Sequence, residues 1–390
     1  MKYKLAVLVS HPIQYHAPFF QKLSRDPNID LTVYFCWDFG VKETYDPQFG
    51  KRLKWDIPLL EGYKYKFLGN FSPTPANNFW GLINPGIVKE ITRNNYDALL
   101  VFGWNALSNW LAFLTAFVKK TPVFLRGENP LNQEISKNYY KKKIKKIILG
   151  FLFRRAKAFL YIGEENKKFY EYYGVSTERL FFCPYAVDNS RFIKEARALK
   201  PKRTAIRKKL GIPKNAIVVL FVGKLMSKKR PIDLLWAYER IPQENKALVF
   251  VGDGELRHAL EEHAVSSGLK QVYFAGFKNQ TELPEFYAMA DIFVLPSGPG
   301  ETWGLVVNEA MCFGLPVIVS DIVGCASDLV HLGENGHTFP HNDAGELARC
   351  LNILIKGAAA RRRAGEKSLE IIKQYNYQKD IESILAALRR

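Results

Sequence analysis

The stretch DIFVLPSGPGETWGLVVNEAMCFGLPVIVSD, Asp291–Asp321, decides the fold. Ile292–Leu295 is a short, wholly apolar run of the kind a strand buried on both faces requires, and Pro296–Gly300 ends it as a turn. Thr302–Gly304 predicts a helix N-terminus with Thr302 as its cap, Leu305–Phe313 predicts the helix, and Gly314 with Pro316 stops it. A second strand, Val317–Val319, follows. This is a βαβ unit, and its strands must be parallel. Such a unit aims free backbone N–H groups and the positive end of a helix at the carboxyl edge of the sheet, where α/β folds bind phosphates. Glu301 lies in the turn, and Glu309 lies five residues beyond Gly304, about 7–8 Å along the axis at helical rise. The two carboxylates are spaced to bracket an extended polar ligand over that helix end. Acids on a helix are also ordinarily a solvated face, and spacing alone leaves both readings open.

Outward from this unit, short β-branched and aromatic runs alternate with helical patterns along the whole chain, the signature of repeated βαβ units. In the first half the predicted strands are Leu5–Val9, Leu31–Phe35, Leu99–Phe102, Val123–Leu125, Phe159–Ile162 and Leu180–Cys183. In the second they are Ile217–Val222, Leu248–Val251, Val272–Phe274, Ile292–Leu295 and Val317–Val319. Asn189–Lys214 is polar, basic and poor in strand formers, and reads as a linker followed by a helix through Leu210–Gly211. A chain of 390 residues exceeds what one core usually organises. The reading is α/β in two domains, 1–195 and 196–374, with a last helix in 375–390 that is free to pack back on the first domain.

Hydrophobic residues make up 47% of the chain, enough for two cores, but no run reaches the ~18 apolar residues of a membrane span. Leu5–Val9, ending at His11 and Pro12, reads as a first strand rather than a signal peptide, so cytoplasmic residence is the expectation. The five cysteines, Cys36, Cys183, Cys312, Cys325 and Cys350, show neither a disulfide framework nor metal-ligand spacing and are expected to be buried thiols. The net charge of +18 favours polyanionic partners: nucleic acid, anionic lipid or phosphorylated substrates. Tyr139–Arg155 concentrates that charge, with Lys141, Lys142, Lys143, Lys145, Lys146, Arg154 and Arg155 around Ile144, Ile147, Ile148, Phe151 and Leu152 at helical spacing. It is expected to pack its apolar stripe on the first sheet and present a basic face to solvent, or to an anionic membrane surface or acidic acceptor.

The pattern Pro296-Ser297, Glu301, Gly304, Glu309-Ala310-Met311, Gly314-Leu315-Pro316-Val317 resembles the donor-site signature of glycosyltransferase family 4, group 1 retaining enzymes with a Glu-x7-Glu motif. The resemblance extends over Val222-Gly223-Lys224-Leu225, Lys229, Asp233-Leu234-Leu235, Val251-Gly252-Asp253-Gly254, Ala275-Gly276-Phe277 and Glu334-Asn335-Gly336, essentially the whole C-terminal domain. It implies the GT-B architecture: two Rossmann-like domains facing a central cleft, acceptor on the N-terminal one and nucleotide sugar, such as a UDP sugar, on the C-terminal one. It also implies retaining transfer of a hexosyl unit to an acceptor hydroxyl; the +18 charge fits an acceptor in cell-envelope polysaccharide or glycolipid synthesis, with cytosolic acceptors left open.

By the same resemblance Lys224 and Lys229 neutralise the donor diphosphate, Glu301 holds sugar hydroxyls and Glu309 accepts from the ribose. Gly223 and the Thr302-Trp303-Gly304 helix start lie against the donor, and Phe277 and Lys278 border the base. Lys224 stands where arginine is frequent, exchanging a bidentate fork for a point charge. Lys228 is an adjacent competitor, and Arg230 fills a place often held by glycine. Fixed cations aimed at a leaving diphosphate stabilise the transition state more than the ground state. With no Asp-x-Asp motif in the chain, no cofactor and no obligatory metal are expected.

The N-terminal half departs from the family. Ser10-His11-Pro12-Ile13-Gln14-Tyr15-His16 replaces a glycine-rich loop, so His11 and His16 are acceptor-side candidates or structural histidines. Arg126-Gly127-Glu128 follows the strand after which relatives carry a histidine. Arg126 and Glu128 are replacement candidates; Glu128 would position the acceptor hydroxyl or act as base, or the two form a salt bridge. Two other functions compete: a sugar-nucleotide epimerase or phosphorylase on the same fold, and a basic nucleic-acid-binding protein. Against the second, the chain carries no helix-turn-helix, finger or ribonucleoprotein signature, and no nucleic-acid partner is expected.

Overall fold

A computed structural model describes residues 2–46, 49–136 and 138–390. Fifteen strands occur among them: β1 Tyr3–Val9, β2 Ile29–Phe35, β3 Thr44–Asp46, β4 Lys51–Leu53, β5 Lys64–Phe67, β6 Ala98–Phe102, β7 Val123–Arg126, β8 Ala158–Tyr161, β9 Leu180–Phe182, β10 Ile217–Val222, β11 Lys246–Val251, β12 Val272–Phe274, β13 Ile292–Leu295, β14 Val317–Ser320 and β15 Gly336–Phe339. The chain divides into two compact units.

The first unit, Met1–Thr44 with Leu53–Tyr185 and Tyr377–Arg390, is built on a seven-stranded sheet of order β5-β2-β1-β6-β7-β8-β9. Its central strands are apolar throughout because helices cover both faces: Leu5–Leu8 and Leu99–Val101 have no exposed surface. Each such fully buried leucine or valine contributes on the order of 1.5–3 kcal/mol. The closing helix, Tyr377–Arg389, packs here. The Tyr377 hydroxyl donates to the Tyr15 carbonyl at 2.9 Å, and Ile381, Ile384 and Ala387 are buried.

The second unit, Ala186–Asn376 with Tyr45–Arg52, carries a six-stranded sheet of order β12-β11-β10-β13-β14-β15, all parallel. Counted from β10 this is 3-2-1-4-5-6, the dinucleotide-fold order, and its direction reverses between β10 and β13.

Every predicted strand is present. The sequence missed one edge strand of each large sheet, β5 and β15, and the β3–β4 pair. The Asn189–Lys214 segment is not a linker: Asn189–Leu199 is a helix capped by Asp188, and a second helix spans Arg203–Lys209. The chain passes between units at Tyr185 and Ala186, ahead of the expected boundary. Within Tyr139–Arg155 only Leu149, Leu152 and Phe153 are buried; Ile144, Ile147 and Ile148, expected to face the sheet, are exposed.

Candidate functional site

In the second unit the sheet's order reverses where β10 and β13 run side by side, and their carboxyl ends open into two loops. After β10, Gly223 donates its N–H to the Val251 carbonyl at 2.9 Å, and Leu225 donates to the Asp253 carbonyl at 2.9 Å. These bonds seat the Gly223-Lys224 loop against the Gly252–Gly254 loop. Gly252 has φ +138°, and a Cβ there would stand 1.8 Å from the Gly223 carbonyl oxygen, so only glycine fits. A short turn, Ser227–Lys229, then leads through Arg230 into the helix Pro231–Glu239.

Arg230 is left-handed, φ +50°, which explains why glycine suits this place. Here a two-point ion pair holds the residue, its Nη2 2.8 Å from Asp233 Oδ1 and its Nε on Oδ2.

After β13 the turn delivers Glu301. Its carboxylate is buried, paired with Lys229 Nζ and accepting from Ser297 Oγ at 3.1 Å. Burial alone would raise this carboxyl, but the charges of Lys229 and then Lys228, with the two hydrogen bonds, hold it below the usual carboxylate range. Lys228 lies along Gly300, its Cε 3.3 Å from where a Cβ would stand, and burial lowers its ammonium. Lys224 pairs with Asp46 of the β3–β4 segment at 3.1 Å and lies 4.6 Å from the Phe49 ring centroid. Three lysines and two carboxylates, Glu301 and Asp46, thus converge at the switch point.

The helix Leu305–Cys312 is capped not by Thr302, as expected, but by Gly304 in a left-handed conformation, φ +97°, with no side-chain cap. A Cβ at Gly304 would lie 2.7 Å from Leu295 Cδ2, so β13 itself forbids a capping side chain there. Glu301 and Trp303 turn their carbonyls to the next loop: Gly324 donates to the Glu301 carbonyl at 3.1 Å and Cys325 to the Trp303 carbonyl at 3.2 Å. The Trp303 indole is buried and donates to Asn308 Oδ1 at 2.9 Å. Glu309 is fully buried and accepts from the Tyr287 hydroxyl at 2.6 Å. Phe277 meets Phe49 edge to face at 5.0 Å with Lys51 Nζ 5.3 Å from its centroid, while Lys278 Nζ pairs with Glu282 at 3.1 Å.

In the first unit, Tyr185 gathers the acceptor-side candidates. Its ring stacks with His16 at 6.3 Å, lies 5.6 Å from the Arg126 guanidinium, and its hydroxyl donates to Glu128 Oε1 at 2.8 Å. Arg126 is buried and faces Asp380 of the closing helix at 3.5 Å, with Cys183 Sγ 2.8 Å from its Nη1. Burial pushes the His16 imidazole well below its usual range, Arg126 and His11 adding to the effect, so it is neutral. Its Nε2 is buried without a hydrogen-bond partner among the described residues. His11, packed on Trp37 and Phe39, is lowered by burial to about 4.

Sequence reasoning named the lysines, both glutamates, His16, Arg126 and Glu128. It missed Asp46, Tyr287, Tyr185 and Asp380, each of which reaches its partner from a distant stretch of chain.

Residues 202–370 match the family model described as glycosyl transferases group 1. The chain is similar to D-inositol 3-phosphate glycosyltransferase of Geodermatophilus obscurus, 30% identical over 242 residues, which cover 58% of this chain and 50% of the relative. It is also similar to sulfoquinovosyl transferase SQD2 of Arabidopsis thaliana, 26% identical over 309 residues, 76% of this chain and 57% of the relative. The chain spans about half the length of the curated relatives it matches. Anabaena HepE, solved in complex with UDP, matches with a TM-score of 0.76 over 100% of both chains at 19% identity, a likeness of fold. The fold is GT-B, and the residues that match the group 1 model lie within the second unit.

Proposed function

We propose that the chain transfers a hexosyl unit from a nucleoside diphosphate sugar to an acceptor hydroxyl, with retention, as a member of glycosyltransferase family 4. The observation that carries this reading is the convergence of Lys224, Lys228, Lys229 and Glu301 at the switch point of the second sheet, inside the segment that matches the group 1 model.

As the anomeric carbon–oxygen bond breaks, its electron pair passes to the diphosphate. Lys229 and Lys224 stabilise that growing charge in a partly dehydrated site, Lys228 beside them. Glu301 holds donor hydroxyls and fixes Lys229; Glu309 receives the ribose, and the Phe277 loop borders the base. HepE was solved with UDP, which supports a UDP sugar as the first donor to try. In the first unit Glu128, oriented by Tyr185, positions the acceptor hydroxyl, with Arg126 and His16 behind it.

The lysines supply the positive charge that a divalent cation would otherwise bring, so transfer is proposed to need no metal, and chelator should leave turnover intact. The basic helix Tyr139–Arg155 is proposed to touch an anionic membrane, placing the enzyme in envelope glycan or glycolipid synthesis at the inner membrane face. Among the described residues no helix is long and apolar enough to cross a membrane.

A screen of nucleotide sugars for release of diphosphate without acceptor tests the reading. One sugar nucleotide should be hydrolysed slowly, and an added acceptor should give a glycoside of unchanged anomeric configuration. Interconversion of sugar nucleotides without diphosphate release would establish an epimerase, and phosphate-dependent glycoside cleavage a phosphorylase.

A further inference from the structure

The basic helix Tyr139–Arg155 borders a groove that its charge does not account for. Phe79, Trp104, Trp110, Ile144 and Ile148 line an open groove of about 650 Å³ in the first unit, with Lys141 at its rim. Asn105 and Lys141 add polar groups to a lining that is otherwise mostly apolar, and other polar atoms nearby are already used. The Trp110 indole N–H donates to the Trp104 carbonyl at 3.0 Å, and Lys145 turns to Glu134 at 2.8 Å and to the Phe169 ring. At the mouth, Ile144, Ile147 and Ile148 are 60%, 69% and 45% exposed, and Trp80 is 66% exposed, edge to face on Phe79. An apolar patch of this kind on a single chain marks a surface that something covers.

Charge identifies the occupant. Tyr139–Arg155 contains seven cations and no acid, and its five lysines lie in the same short stretch, 141–148, as the three exposed isoleucines. A protein partner's surface ordinarily mixes both signs. An interface that offers anionic phosphate at the depth of the lysines and hydrocarbon just beneath is an anionic lipid layer. The floor of the groove also reaches the acceptor-side residues. A Cβ on Gly127 would stand 2.5 Å from the Trp104 ring, so that indole lies directly against the backbone joining Arg126 and Glu128.

We propose that this groove binds one apolar chain of an anionic lipid, its phosphate met by Lys141 and neighbouring lysines, so that the natural acceptor is lipid-borne. The proposal rests on the membrane contact proposed above and deepens it.

The test uses the full chain and dodecyl phosphate below its micelle concentration, with inorganic phosphate and dodecyl maltoside as controls and binding followed by calorimetry. Dodecyl phosphate should bind at one site, and Ile148→Glu and Lys141→Glu should each weaken it tenfold or more. Both positions are at the surface, so circular dichroism and the melting temperature should be unchanged, as should donor hydrolysis. Equal binding of inorganic phosphate, or no loss in Ile148→Glu, overturns the groove. Sedimentation with acidic vesicles is scored separately. Vesicle binding without dodecyl phosphate binding leaves the membrane contact standing and the groove refuted, and failure of both refutes both. A dimer that Ile147→Glu splits would assign the patch to a second copy of the chain and also overturn the proposal.

Discussion

Asp46 and Lys224, 178 positions apart in the chain, meet as an ion pair of 3.1 Å. Asp46 comes from the short segment Tyr45–Arg52, which folds with the second unit although the chain on either side of it belongs to the first. A second pair, Lys51 with Asp253 at 2.7 Å, anchors the same segment. Both bonds fall on the loops that begin and flank the proposed diphosphate site, so the Asp46 carboxylate supplies Lys224 with the negative charge a donor phosphate would bring.

Asp46→Ala should therefore tighten binding of free nucleoside diphosphate. Such a partly exposed pair is worth about 1 kcal/mol at most, roughly a fivefold gain in affinity. Calorimetry checks it. Weaker binding in the variant would mean that the segment helps to hold the donor.

Lys229→Ala should depress turnover by about 10²–10³, mainly in kcat, the scale of losing one fixed transition-state donor. Lys224→Ala should follow the same direction to a smaller degree, because Lys224 is shared with Asp46. Glu301→Gln should lose activity too, since it removes the anion that fixes Lys229. Steady-state kinetics on the three variants and on Lys228→Ala decide the order. If Lys228→Ala is the worst of the four, Lys228 is the principal phosphate cation.

The central strands were legible because burial on both faces leaves an uninterrupted apolar run, as in Ile217–Val222. Two of the four edge strands were not. Lys64–Phe67 alternates lysine with aromatic residues and is largely exposed, and Gly336–Phe339 opens on glycine and holds a histidine. The lysines and Glu301 of the candidate site were legible because their spacing follows a motif. Asp46, Tyr185 and Asp380 were not, because each meets its partner across the fold and nothing local marks it. Periodicity revealed the helix Tyr139–Arg155 but assigned Ile144 and Ile148 to the core, since a pattern of apolar positions does not say what covers them.

Glu309→Ala should weaken binding of nucleoside diphosphate, as charge-assisted hydrogen bonds to ribose hydroxyls are worth roughly 1.5–3 kcal/mol each. Its burial against Tyr287 adds a stability effect, so Tyr287→Phe is the control. Tyr287→Phe should lower the melting temperature with little change in affinity. A Glu309→Ala variant that melts earlier yet binds normally would assign Glu309 to packing alone.

Acid should destabilise the first unit through its buried histidines. His11 is held down to about 4 and His16 well below its usual value by burial, against 6.5 in the unfolded chain. Between the folded and unfolded values the unfolded state binds more protons, so this stability is present above pH 6.5 and is lost as pH falls toward 4. Asp380 works in the opposite sense. Burial raises it to about 6, against Arg126, so its contribution is full below 3.8 and is lost as pH rises through 6. The two histidines outweigh the one carboxyl, and the melting temperature should fall as pH drops from 7 to 4.5. His11→Gln, which cannot titrate, should flatten that fall, and Asp380→Asn should steepen it by removing the opposing group. Melting curves at half-unit pH steps test both, and parallel profiles for all three proteins would show that acid acts elsewhere.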